Sequence, residues 1–98
     1  MIATLPLPVP SPAELRALRA RAQRLEPILR IGRAGVNEPF LASLQSALEV
    51  HGLVKVKFAD HKEEKKTLAP EIAERSRSFL IQRVGNVAVY FRPKVTLE

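Results

Sequence analysis

The sequence predicts one α/β domain in the order helix, strand, helix, strand, helix, strand, strand, with three helices around a single mixed sheet of four strands. Three observations predict it. Stretches with apolar residues at helical spacing alternate with short apolar or alternating runs. A Gly-x-x-Gly turn, Gly32 to Gly35, joins a short apolar run to a helical one. Gly85-Asn86 separates two apolar runs, as the tip of a tight hairpin does. At 98 residues there is room for one domain, and the 46% hydrophobic content suffices for one core.

The chain opens with an arm. Met1 to Pro10 holds no basic residue and is broken by Pro6, Pro8 and Pro10, so it suits neither a signal peptide nor a membrane span. Residues 1–10 read as a flexible extended segment, residues 11–94 as the domain and residues 95–98 as a tail. The final Leu97-Glu98 is either native or a cloning remnant.

Ser11-Pro12-Ala13-Glu14 starts the first helix, with Ser11 as cap, Pro12 at the first helical position and Glu14 three residues after the cap. It is expected to run to about Arg24. Leu15, Leu18, Ala22 and Leu25 fall on one side, Arg16, Gln23 and Arg24 on the other, and Arg19 and Arg21 flank the apolar stripe. These arginines either solvate the surface or meet an anion.

Pro27 to Ile31 is the expected first strand, with proline at its beginning, where a missing donor is tolerated. Asn37 caps the second helix, whose first turn holds Glu38 and Pro39. Phe40, Leu41, Leu44, Ala47 and Leu48 share one face, His51 lies in the last turn facing the negative end of the dipole, and Gly52 stops the helix. Leu53 to Phe58 alternates with period two. Val54, Val56 and Phe58 point inward, while Lys55 and Lys57 point outward, to meet phosphate or to protect a solvated sheet face.

His61 to Lys66 is dense in mixed charge, with Asp60 as a cap, and leads into Leu68, Ile72 and Ala73 at helical intervals. The third helix falls within residues 61–76, and Pro70 requires it to begin near Thr67 or to kink. The hairpin register predicts Val84 opposite Val87, Gln82 opposite Val89 and Leu80 opposite Phe91 on one face. On the other face it sets Arg83 against Ala88 and Ile81 against Tyr90. Both faces are largely apolar, so the sheet is expected to be covered on both sides. Pro93 ends the pairing.

The chemistry concentrates in the loop. Two glycines three apart let the backbone approach a ligand closely, and the helix that follows presents unpaired N–H groups and a partial positive charge. Arg33 within the loop and Arg30 just before it make a phosphate the natural ligand. The alternative is that Gly32 and Gly35 only turn the chain. Sixteen Lys and Arg against ten Asp and Glu give a net charge of +6, which favours a polyanionic partner. One Tyr and four Phe do not support a stacking platform for bases.

Other classes fit less well. With no Cys, disulfides and thiolate metal sites are excluded, which suits a reducing cytoplasm. Asp60, His61, Glu63 and Glu64 read as helix-start partners rather than an acid–base or metal cluster. His51 and His61 lack metalloprotease spacing, and Gly-Arg-Ala-Gly lacks the Gly-Lys-Ser/Thr ending of a nucleotide-binding loop. No enzyme, cofactor, metal, membrane or small-molecule role is expected. A basic protein–protein interaction module that turns its charged face to an acidic partner, without direct RNA contact, is the alternative.

The chain resembles the CRM (chloroplast splicing and ribosome maturation) domain in its stand-alone bacterial YhbY-like form, from about Ser11 to Lys94. The resemblance rests on Leu25 to Asn37, Leu53 to Lys57, His61 to Lys66 and Val84 to Pro93, four motifs in one order. It implies a fold similar to the C-terminal domain of a bacterial translation initiation factor. It also implies a cytoplasmic, monomeric RNA-binding protein associated with ribosomal RNA in precursors of the large ribosomal subunit. By this resemblance the Gly32–Gly35 loop contacts RNA much as the similar loop of KH domains does, assisted by Arg16, Arg19 and Arg24. With the residues read above, the expected contact set is Arg16, Arg19, Arg24, Arg30, Gly32, Arg33, Ala34, Gly35, Asn37, Lys55 and Lys57. Two positions depart from the pattern: Pro70 lies within the third helix, and Ser76-Arg77-Ser78 stands where a glycine is expected.

Overall fold

The computed structural model describes residues 8–93, so the expected arm up to Leu7, the last domain residue Lys94 and the tail at residues 95–98 lie outside the described residues. Its elements are α1 (Pro12–Gln23), β1 (Leu29–Ile31), α2 (Glu38–His51), β2 (Leu53–Phe58), a 3₁₀ turn (Lys62–Glu64), α3 (Lys65–Ser76), β3 (Phe79–Val84) and β4 (Val87–Phe91). The strands lie in the order β1-β2-β4-β3, with β1 and β2 parallel and the other two pairs antiparallel. The predicted element order and four-stranded mixed sheet are those observed.

Caps set the helix boundaries. Ser11 Oγ accepts from the Glu14 amide at 3.1 Å, while the Glu14 carboxylate accepts from the Ser11 amide at 3.0 Å. Asn37 caps α2, and Gly52 ends it at φ +75°. Asp60 does not cap α3: its side chain accepts from the adjacent His61 amide, and the 3₁₀ turn carries the chain into the helix.

Nor does α3 wait for Thr67. It starts at Lys65 and runs through Pro70. Pro70 and Lys66 are both exposed, which puts the missing helical donor on the solvent side of α3. At the other end Arg77, standing where a glycine is expected, takes the left-handed conformation at φ +54°. Ser78 N–H closes back on the Ala73 carbonyl at 2.9 Å, the six-to-one bond of a Schellman ending.

Alternation splits the core into two layers. Ile31, Val54, Val56, Phe58, Ala88 and Tyr90 face α2 and α3, meeting Phe40, Leu41, Leu44, Leu48, Ala69 and Ile72. Tyr90 is fully buried, its hydroxyl donates to the Ala69 carbonyl at 3.0 Å, and burial pushes its pKa upward. On the opposite face Leu53, Ile81 and Val89 pack against Leu18 and Ala22 of α1. The sheet is covered on both sides, as its two apolar faces predict.

Two strand details differ from expectation. β1 spans three residues, beginning at Leu29 rather than Pro27, although the Ile28 amide already donates to the Lys55 carbonyl at 3.1 Å. In the hairpin Val84–Val87, Arg83–Ala88 and Gln82–Val89 pair as predicted, but the register then shifts, setting Leu80 against Tyr90 and Phe79 against Phe91. The cause is a bulge between Leu80 and Gln82, with Ile81 turned toward α1 while Leu80 packs with Tyr90 on the α2–α3 side. At the tip only Gly85 takes a positive φ, +57°.

Candidate nucleic-acid interface

Because β1 and β2 are parallel neighbours, the chain leaves both at the same edge of the sheet. The Ile31 carbonyl accepts from the amides of Ala59 (3.0 Å) and Asp60 (2.9 Å), pinning the segment after β2 beside the base of the Gly32–Gly35 loop. The loop is a tight turn in which Gly35 N–H donates to the Gly32 carbonyl at 3.0 Å. Asn37 then accepts from the Phe40 amide at 3.0 Å and opens α2.

The two glycines differ. Gly35 sits at φ +75°, where a side chain is strained, and a Cβ there would come 3.3 Å from His61 Nε2. Gly32 is exposed and has no positive φ, and a Cβ on it would meet nothing within 4 Å. The fold accounts for Gly35 and gives no reason for Gly32. Between them Arg33 and Ala34 are exposed, and their amides have no acceptor among the described residues. Free amides, the positive end of α2 and the Arg33 guanidinium together make a surface suited to an anion.

Sequence reading missed His61. Its Nε2 lies 2.9 Å from the Arg33 carbonyl, and its Nδ1 lies 3.6 Å from Glu64 Oε2. The Arg33 carbonyl, aided by the Glu64 and Asp60 carboxylates and opposed by desolvation, raises the imidazole pKa above its ordinary range. The His61 backbone is left-handed, φ +55° and ψ +34°, a conformation costing on the order of 1 kcal/mol for a residue with a Cβ. Parallel pairing was the signal that could have found it, since residues following two parallel neighbours emerge side by side.

The predicted cations divide into two groups. Arg30 and Lys57 are register partners of β1 and β2, both exposed on the α1 side of the sheet and next to the loop. Arg16 is exposed on α1 and Arg24 is exposed at its C-cap. Lys55 instead donates from Nζ to the carbonyls of Ala22 (3.0 Å) and Leu25 (3.1 Å), closing the C-terminal end of α1. Arg19 donates from Nε to the Ile81 carbonyl at 3.0 Å, at the bulge. Beyond the Gln23 end of α1 the sheet is open, leaving a groove of about 300 Å³ lined by Gln82, Val84 and Val87 among others.

Among the described residues no three His, Cys, Asp or Glu side chains cluster to hold a metal. No described helix is long and apolar enough to cross a membrane.

Comparison with known proteins places this architecture. The chain is 36% identical over 78 residues to the "Probable RNA-binding protein YqeI" of Bacillus subtilis, covering 79% of this chain and 81% of that one. It is 32% identical over 77 residues to an "RNA-binding protein" of Haemophilus influenzae, covering 78% of each chain. The solution structure of the hypothetical protein SAV1595 from Staphylococcus aureus superposes with a TM-score of 0.76 at 31% identity, covering 92% of this chain and 95% of that one. The model of the CRS1/YhbY (CRM) domain matches residues 11–92, and the chain belongs to that family.

Proposed function

We propose that this protein is a non-catalytic RNA-binding protein that grips the backbone of structured RNA with its Gly32–Gly35 loop. The observation that carries the reading is Gly32: nothing in the chain's own packing or dihedral angles asks for glycine there, whereas close approach of a phosphate to the main chain does. Support comes from the relatives named as RNA-binding proteins and from the exposed cations beside the loop. Gly32, Arg33, Ala34, Gly35 and Asn37 form the contact, Arg30 and Lys57 extend it along the sheet, and Arg16 and Arg24 add long-range attraction. Arg19 and Lys55 serve the fold first. The RNA is ribosomal RNA in precursors of the large ribosomal subunit, bound by a cytoplasmic monomer.

Backbone binding has a salt signature. If about four cations meet phosphates, affinity falls about 100-fold between about 50 and 200 mM salt and varies little among unrelated structured RNAs. Titration of several such RNAs at the two ionic strengths measures this. A flat salt response, or strong preference for one short single-stranded motif, contradicts the reading. Sedimentation of tagged protein across ribosomal fractions tests the ribosomal part, and co-migration that survives ribonuclease points to a protein partner instead.

A further inference from the structure

We propose that His61 is the positioning residue of the Gly32–Gly35 loop, holding it from behind through the Arg33 carbonyl and Gly35, so that the charge on the imidazole sets how firmly the loop grips a phosphate. This rests on the reading of the loop as the RNA contact.

The geometry is specific. A carbonyl can only accept, so the 2.9 Å contact between His61 Nε2 and the Arg33 oxygen requires a proton on Nε2. The same nitrogen lies 3.3 Å from where a Gly35 Cβ would sit, so the ring occupies the space that this glycine leaves empty. Arg33 and Gly35 flank Ala34, so His61 bonds one side of the loop tip and fills the space beside the other. It makes no side-chain cap bond to the 3₁₀ turn that follows it. A left-handed backbone, which Ala59 and Asp60 anchor to Ile31, aims the ring at the loop.

The charged groups acting on the ring are the Asp60 carboxylate before it and the Glu64 carboxylate of the 3₁₀ turn, while the loop acts on it through the Arg33 carbonyl. All three favour the imidazolium. As a cation, His61 makes a charge-assisted bond to Arg33 and adds positive charge behind the phosphate site. When neutral, it keeps the Nε2 donor but turns a bare Nδ1 toward a carboxylate. The folded-state pKa is raised, so the contribution is complete below the ordinary imidazole pKa and disappears as pH rises through the raised value.

The test uses one structured RNA hairpin at constant salt, at about pH 5.5 and about pH 8.5, with thermal melting of every variant. The parent is expected to bind about fivefold more weakly at the higher pH, the scale of one charge-assisted contact. His61→Gln retains an N–H donor where Nε2 stood and carries no titratable charge. It should bind independently of pH, at the parent's high-pH affinity, whereas His61→Ala binds more weakly at both pH values. His51→Gln should titrate like the parent. A parent that binds equally at both pH values overturns the proposal, as does a His61→Gln protein that titrates like the parent or binds no better than His61→Ala. Ala34→Asp run alongside separates the two claims: if it binds like the parent, the loop reading itself fails, and if it alone loses binding, only the role of His61 does.

Discussion

In the layer between α1 and the sheet, two basic side chains cross and end on main-chain carbonyls: Lys55 of β2 on Ala22 and Leu25, Arg19 of α1 on Ile81. At the loop edge the pattern inverts. Arg30, Arg33 and Lys57 stand exposed, and Gly32 has open space where a side chain would be. Both regions contribute to the same net charge of +6, yet a cation holding a helix end has lost hydration and rotamer freedom to an internal partner, while one beside an open backbone has not. Charge alone therefore overstates how many cations are free to meet an anion, and hydrogen-bond partners divide them.

Four variants sharpen that contrast, in order of their expected effect on stability. The two glycines come first. Gly35→Ala forces a Cβ into the left-handed region and toward His61, and should cost about 2 kcal/mol in denaturant unfolding. Gly32→Ala should stay within about 0.5 kcal/mol of the parent and still bind RNA several-fold more weakly. Equal destabilisation by both would make the loop a turn and nothing more.

Lys55→Met comes second. It keeps the aliphatic stem but removes the donor to the end of α1, at a cost of about 1 kcal/mol in melting experiments, with RNA affinity nearly unchanged. A large loss of binding without a loss of stability would return Lys55 to the interface. The smallest change in stability belongs to Arg16→Glu combined with Arg24→Glu, within about 0.5 kcal/mol because both side chains are exposed. Binding should weaken and its salt dependence flatten. A sharp drop in melting temperature with unchanged binding would make these arginines structural.

Much of the fold was legible because its signals are local. Ser11, Glu14, Asn37 and Gly52 mark helix ends through bonds or dihedral angles within a few residues. The alternation of Leu53 to Phe58 assigned its faces without reference to the rest of the chain. What was missed depends on distant partners. The bulge at Ile81 follows from how α1, α2 and α3 divide the two faces of β3, which a hairpin pattern does not encode. Helical spacing put Arg19 on the flank of α1 but could not supply the Ile81 carbonyl it meets. Lys55 pointed outward from the core as expected, into a helix end rather than into solvent. His61 read as part of a charged helix start, although parallel strand pairing sets it against the Gly32–Gly35 loop.

The central claim is that the loop is an RNA contact rather than a turn, and Ala34→Asp tests it most directly. Ala34 is exposed at the loop tip, so the carboxylate places negative charge where a phosphate would sit without demanding a new conformation from either glycine. Measured by RNA titration beside a thermal melt, the account predicts an unchanged melting transition and binding that collapses at every salt concentration where the parent binds. A well-folded Ala34→Asp protein that binds RNA and pre-ribosomal particles like the parent would contradict it.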